Sequence, residues 1–533
     1  MKNFEAKRRS RRAGGEFKMM NGRLPITVRS RLRSVLIACF ACSVPISWAA
    51  APVNIDNPPQ GRFNDDWAEI FVGGAKSGYA HSTMSREGDH VQTHTMMKLR
   101  LGRAGQAVEF SVTQDTTETL AGVPLSFESI MDMSFTKTVM RGTVREGRVT
   151  LVSSQYGMDQ TQTFEYPIGA VMTWGAYRES MRRGFKSGTT YSVPMYAPDL
   201  RLDGPITAKT AVGDVEPFEH RGKTLRGRKV TLSMESPLGS LELVSWVDEH
   251  GEPLKARIPL PGLADLEVIT TDQQTAVSEF VAPEIFMTTT IKSPRPLERG
   301  KLNRIRYRLT VRDENAAAPT VPETQMQKVT EKSARSIEVD VRRLPHGKAE
   351  TTSREKLPAE FSEYLDANLI INADDPTLVE LSKRIGDVET DAFVLGDRLR
   401  KFVTEYVQNK SMNVGFATAS EVARNKEGDC SEHAVLLAAL GRIKGLPSRV
   451  IVGLAYAPFF GGESDIFGYH MWTQFFIDGK WYDFDAALRE SDVSPARIAF
   501  ATSSLKNAGL AELSFGLLNT LGGLKLELLQ VEP

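Results

Sequence analysis

The spacing of apolar residues changes period partway along this 533-residue chain, and that change limits the fold more than any other feature. From about 60 to 280, apolar residues tend to recur at every second position. Val91, Thr93, Thr95, Met97, Leu99 and Leu101 alternate with more polar neighbours, which predicts a half-buried strand. Turn residues punctuate such runs at Glu87-Gly88-Asp89, Glu146-Gly147 and His250-Gly251. Trp246–Asp248 and Leu254–Ile258 are expected to pair as a hairpin. One helix should interrupt the strands from about Ile168 to Arg183, with Gly184 ending it. Strand patterns return at Ile305–Val311 and Ser336–Val341. From about 360 the period becomes helical: Asp375 and Pro376 open a helix through Ile385, and Leu395, Leu399, Phe402, Val403, Tyr406 and Val407 share one face of the next. The expected class is therefore α+β, with an antiparallel β-rich region over 52–282, a small β linker module over 283–355 and a mixed region over 356–533. At roughly 150 residues per domain, the length suits about three to four folded units.

The charge is unevenly spread. Lys and Arg total 66 against 66 Asp and Glu, but residues 1–51 hold 11 basic and 2 acidic residues, leaving the remainder with a net of −9. A mildly acidic body does not suit a nucleic-acid partner. Arg31 and Arg33 precede the apolar run Val35–Ile46, which ends in small residues at Ala49, Ala50 and Ala51. That order predicts an export leader cleaved near Ala49–Ala51, and hence a periplasmic or secreted protein. The run is shorter than the roughly 20 residues that span a bilayer. Translation from Met19 or Met20 would leave a leader of conventional length. Leu36-Ile37-Ala38-Cys39 has the composition of a lipid-attachment box, but the apolar run lies on its wrong side.

Of three cysteines, Cys39 and Cys42 fall within the leader, so the mature chain keeps only Cys430. An exported chain with one thiol has no internal disulfide, and the leftover thiol suggests either intermolecular pairing or a reactive nucleophile. The surroundings favour the nucleophile. Gly428-Asp429-Cys430-Ser431-Glu432-His433 opens a helix whose buried stripe is Val435, Leu436, Ala439, Leu440 and Ile443. A thiol in the first turn sits among free N–H groups at the positive end of the helix dipole, an environment expected to lower its pKa.

A β-branched run at Arg449–Gly453 is followed by an expected loop of 13 residues, Ala457–Tyr469. His470 is read as the start of the next strand. Asp478-Gly479 predicts a turn, and Trp481–Asp485 the returning strand. Such a hairpin puts Asp485 beside His470, where the carboxylate would fix the imidazole while the imidazole faces Cys430. Gln408 and Asn409 are candidate oxyanion donors, Tyr456 and Trp472 candidate walls of an acyl pocket. Gly461-Gly462 with Phe459, Phe460 and Phe467 is a candidate gate. His90 and His94 lie on a predicted strand with no Cys nearby, and are read as surface residues rather than metal ligands.

Gly428–His433, Gly445–Arg449, His470–Trp472 and Trp481–Asp485 together resemble the transglutaminase-like superfamily, related in architecture to papain-type thiol enzymes. The resemblance spans roughly 375–490 and implies a nucleophile helix packed on an antiparallel sheet. It gives Cys430 the place of the nucleophile, His470 that of the base and Asp485 that of the orienting carboxylate. Asp485-Ala486 departs from the family's frequent Asp-Pro. No cofactor or metal is implied, since no calcium-ligand loop is visible. The implied substrate is a protein or peptide, attacked through an acyl-thioester. Water as acceptor would make a protease or amidase, the reading favoured here, and an amine a transglutaminase. A non-catalytic protein that engages a cell-envelope partner through its β-rich region is the rival.

Overall fold

The computed structural model describes residues 53–103, 105–133, 136–155, 158–198, 204–236, 239–259, 265–314, 316–351, 357–386, 391–410, 417–506 and 522–533. The expected leader, with Cys39 and Cys42, lies outside these residues. No helix among the described residues is long and apolar enough to cross a membrane.

The alternating region forms a fourteen-stranded antiparallel sheet among the described residues. Its first half is a meander of β1 (Gly61–Val72), β2 (Ala75–Glu87), β3 (His90–Arg103), β4 (Gln106–Thr119), β5 (Pro124–Met133), β6 (Thr136–Arg145), β7 (Arg148–Gln155) and β8 (Met158–Glu165). Helix α1 (Thr173–Arg183) follows, starting later than expected and ending at Gly184 as expected. The second half runs through β9 (Thr190–Met195), β10 (Ile206–His220), β11 (Lys223–Ser236), β12 (Gly239–Val247), β13 (Pro253–Ile258) and β14 (Leu266–Thr271). Pairing of β1 with β14 joins the halves, so β8 and β9 become the two edges. Leu99, Val112 and Met131 from the first half share one core with Ile206, Leu232 and Leu243 from the second. The sheet curls over, as strand twist favours, and brings its β9 edge back to β5 and β8. At the closing seam Tyr196 packs its ring against Phe127 and Tyr166, and Val171 bridges to Met195. His94 pairs with Asp115 across β3 and β4.

The strands expected near 305 and 336 are β16 (Arg304–Val311) and β18 (Ser336–Arg342); β15 (Ile291–Lys292) precedes them and β17 (Gln327–Lys332) lies between. The helical region supplies α2 (Pro376–Lys383), α3 (Ala392–Tyr406), α4 (Ala419–Asn425) and α5 (Cys430–Ile443). Then come β19 (Ser448–Phe460), β20 (Glu463–Ile477), β21 (Lys480–Phe484), β22 (Arg497–Ser503) and β23 (Leu524–Glu532). One sheet runs β15-β20-β19-β22 with β21 also on β20, and another runs β17-β18-β16-β23. Residues 283–355 thus share sheets with the C-terminal region at both ends. A core of Leu399, Val403, Val435, Leu436, Val450 and Phe475 binds α3 and α5 to β19 and β20. Further along β19, Leu454 and Tyr456 enter a second core with Tyr307, Leu309 and Val339.

Helix α1 begins without a side-chain cap from its own Met172. The buried Glu118 of β4 replaces it, accepting from Trp174 N at 2.6 Å and Gly175 N at 2.9 Å. Burial raises this carboxyl to about 7, although those two N–H groups pull it down. A raised carboxyl favours folding below its ordinary pKa of 4.5, and that contribution is lost as pH rises through about 7. Glu118→Gln should flatten this part of a stability-against-pH curve. Glu118→Ala, which strands two buried donors, should lower stability by about 2–3 kcal/mol in urea unfolding.

Candidate active site

The head of α5 is built from its own sequence. Gly428 has φ 152°, and a Cβ there would fall 2.2 Å from Cβ of Glu432, so only glycine fits. Asp429 is the N-cap: its Oδ1 accepts from Ser431 N at 2.8 Å, while Glu432 Oε2 accepts from Asp429 N at 2.9 Å. This reciprocal box satisfies donors that a helix start leaves open. Glu432 Oε1 also accepts from Ala417 N at 3.1 Å. Gly428 N donates to Asn409 O at 3.0 Å, which ties the Gln408–Asn409 segment to the backbone just ahead of Cys430.

Helix α5 lies against β20, where Thr473 Oγ1 donates to Ala434 O at 2.9 Å and the Met471 N–H comes close enough to the Cys430 sulfur to favour its thiolate. The residue before Met471 is His470. Its Nε2 is 2.8 Å from Asp485 Oδ2, in a pair almost closed to solvent, which leaves Nδ1 for another partner. Asp485 is held in turn: Leu488 N donates to Oδ1 at 2.8 Å and Arg497 Nη1 lies 3.2 Å from Oδ2. Trp472 stacks on His470 with ring centroids 6.1 Å apart, and its Nε1 donates to Asp483 Oδ2 at 2.8 Å. The structure therefore brings His470 and Asp485 into contact and sets the Cys430 sulfur beside the backbone of His470's neighbour.

Burial and the Asp429 carboxylate push the Cys430 thiol well above its usual range, against the pull of Arg103 and the Met471 N–H. This direction runs against the lowered pKa expected at a helix start: desolvation of the thiol is the largest cause and the Asp429 carboxylate adds to it, and the burial behind both is not visible in the sequence. Burial also favours the neutral acid at Glu432, as does its neighbour Asp429. Asp429 itself stays ionised: burial opposes this, but Arg103 and its hydrogen bonds prevail. Burial likewise opposes the charge of Asp485, yet His470 and Arg497 hold it well below the carboxylate range.

Other expectations change. Ala457–Tyr469 is not a loop: β19 and β20 continue through it and turn at Gly461-Gly462, with φ 59° and 87° as a tight hairpin turn of mirror-image type requires. His470 consequently lies within a strand. The candidate gate is a paired hairpin, with Phe467 in the second core, Phe460 against Phe286 at 6.1 Å and only Phe459 largely exposed. Tyr456 is core as well, its hydroxyl accepting from Leu297 N and donating to Asp465. Trp472, 1% exposed, backs the imidazole and is shut off from any acyl group. Gln408 is exposed and lines a cavity of about 670 Å³ with Lys410, Thr404 and Arg489. Sequence reasoning missed Arg497 and Asp483, which secure the pair from behind, and Arg103, which reaches Asp429 from β3. A buried Arg next to a strand of apolar residues, as at Arg497, was the only available signal.

Residues 380–486 match the transglutaminase-like superfamily. No curated protein sequence matches the chain. Among solved structures, a candidate cysteine protease from Cytophaga hutchinsonii is similar over 43% of this chain and 86% of its own, at 14% identity and a TM-score of 0.29. A candidate protease from Parabacteroides distasonis is similar over 68% of each chain, at 11% identity and a TM-score of 0.18. The family assignment rests on the sequence match, which contains Cys430, His470 and Asp485. Residues 380–486, with Cys430, His470 and Asp485 among them, are thus a transglutaminase-like region.

Proposed function

We propose that this chain is a thiol enzyme that hydrolyses peptide or carboxamide bonds. The observation that carries the reading is the buried 2.8 Å pair of His470 and Asp485 next to the strand position that meets the Cys430 sulfur. The resting thiol keeps its proton. His470 Nδ1 takes it as the sulfur attacks the substrate carbonyl, and the resulting imidazolium is stabilised by Asp485. Collapse of the tetrahedral intermediate breaks the C–N bond, and the same proton passes to the departing amine. Water then gives its proton to His470 and attacks the thioester; the acid leaves and the thiol is restored. The N–H of Cys430, at the open end of α5, would stabilise the oxyanion, and one well-placed donor is worth about 3–4 kcal/mol. Gln408 is proposed as a substrate contact because its neighbour Asn409 accepts from Gly428 N just ahead of Cys430. Export through the leader at 35–51 would put this chemistry in the cell envelope or outside the cell, and N-terminal sequencing of the mature protein should begin close to Pro52.

Products from a peptide library, assayed with and without a primary amine, test the reaction. Cleavage that the amine leaves unchanged supports hydrolysis; transfer of the amine to the acyl group would replace it with a transglutaminase, and no turnover that depends on Cys430 would sink both. Cys430→Ala and His470→Ala should abolish turnover while leaving the far-UV spectrum intact. Asp485→Asn should reduce kcat by about 10²–10⁴-fold, with KM little changed, because the amide no longer fixes the imidazole or balances its charge.

A further inference from the structure

The N-terminal sheet meets the head of the nucleophile helix in one ion pair. Strand β3 ends at Arg103, whose Nη2 lies 2.7 Å from Asp429 Oδ2. Several contacts fix that approach. Gly102 N donates to Pro283 O at 2.8 Å and Ile285 N returns to Gly102 O at 3.1 Å. Gly105 N donates to Glu284 Oε2 at 3.1 Å, and the Arg103 guanidinium sits 5.6 Å from the centroid of the Phe286 ring. The segment joining the two regions thus grips the end of β3 on both sides of the arginine.

The chemistry at the other end explains why a cation belongs there. Asp429 spends Oδ1 on capping α5, and its Oδ2 would otherwise be a buried, ionised oxygen next to the sulfur. Negative charge on that sulfur and on Asp429 would repel at close range in a poorly solvated site. We propose that Arg103 is a positioning residue of the thiol enzyme, holding Asp429 at the head of α5 and cancelling its charge where the Cys430 thiolate must form. The inference rests on the proposed function only for its catalytic meaning, since the electrostatic effect on the thiol is measurable without turnover. On this account the β-rich region is part of the catalytic apparatus.

The groups acting on the thiol are Asp429 and Glu432 at the head of α5, Arg103 from β3 and the Met471 N–H from β20, with His470 the next residue along that strand and Asp485 paired to it. Peptide-resolved labelling of Cys430 with iodoacetamide in the full chain, across a range of pH, reads their balance. Arg103→Met should move the midpoint of the pH–rate profile up by about one pH unit and slow labelling at neutral pH about tenfold. Arg103→Lys should recover most of the loss. Adding Asp429→Asn to Arg103→Met should return the profile to that of wild type or below it, a non-additive result expected of two charges acting on one sulfur. This double variant leaves no buried charge stranded, and it carries the test where the single variant does not fold. A lower melting temperature with an unmoved midpoint would make Arg103 a structural strut and overturn the proposal, as would a double variant still displaced upward. Displacement in a chain that turns over no substrate would keep the electrostatic pairing and discard the enzyme.

Discussion

Packing of α5 on β20 is the constraint from which the candidate site follows. Helix α5 is buried along almost its whole length, with Cys430 in its first turn keeping partial exposure and Val435, Leu436 and Leu440 against a core that β20 shares through Met471 and Phe475. Sliding one element along the other would part the sulfur from the Met471 N–H and remove the Thr473 bond to Ala434 together. Apolar burial at roughly 25 cal/mol per Å² supplies the force, while these two polar contacts define the register. Chemistry and stability are therefore difficult to separate along this seam.

Around that seam the charges are arranged in two groups. One contains Asp429 and Glu432, two buried carboxyl groups of which one is ionised, with Arg103 as the compensating cation. The other contains Asp485 and Glu490 about Arg497, with the imidazole of His470 on the outer side. On the proposed mechanism the first group would keep negative charge near the thiol in check, and the second would keep a carboxylate ready to receive an imidazolium. A thiol raised by burial suits general-base activation in the encounter with substrate more than a standing ion pair with histidine.

The β periodicity of 60–280, the hairpin at 246–258, the start of α2 at Asp375 and the start of α5 at Cys430 were legible because each rests on local chemistry: alternation, turn residues and caps. The pairing of His470 with Asp485 was legible for the same reason, being set by one hairpin. What escaped was non-local. The curling of the sheet depends on contacts such as that of Tyr196 with Phe127, which no window of sequence contains. Polar residues at Glu463, Ser464 and Asp465 masked the continuity of β19 and β20, which the paired strand and the two glycines enforce. Arg103 looked like any basic residue at a strand end, and its meaning comes from Asp429, far along the chain. The thiol's raised pKa escaped for a related reason: the carboxylates were visible, but their burial was not.

The placement of β23 carries a kinetic consequence. Strand β16 is flanked by β18 on one side and by β23 on the other, and Arg304 reaches Glu532 across a sequence separation of 228 residues. A ribosome must synthesise the whole stretch between β16 and β23 before that ladder can close. Contacts so distant in sequence close late and slowly, so β16 spends synthesis with an open edge that invites association with other chains. The nucleophile helix and its hairpin, local by comparison, can assemble while the neighbouring ladder still waits for its final strand.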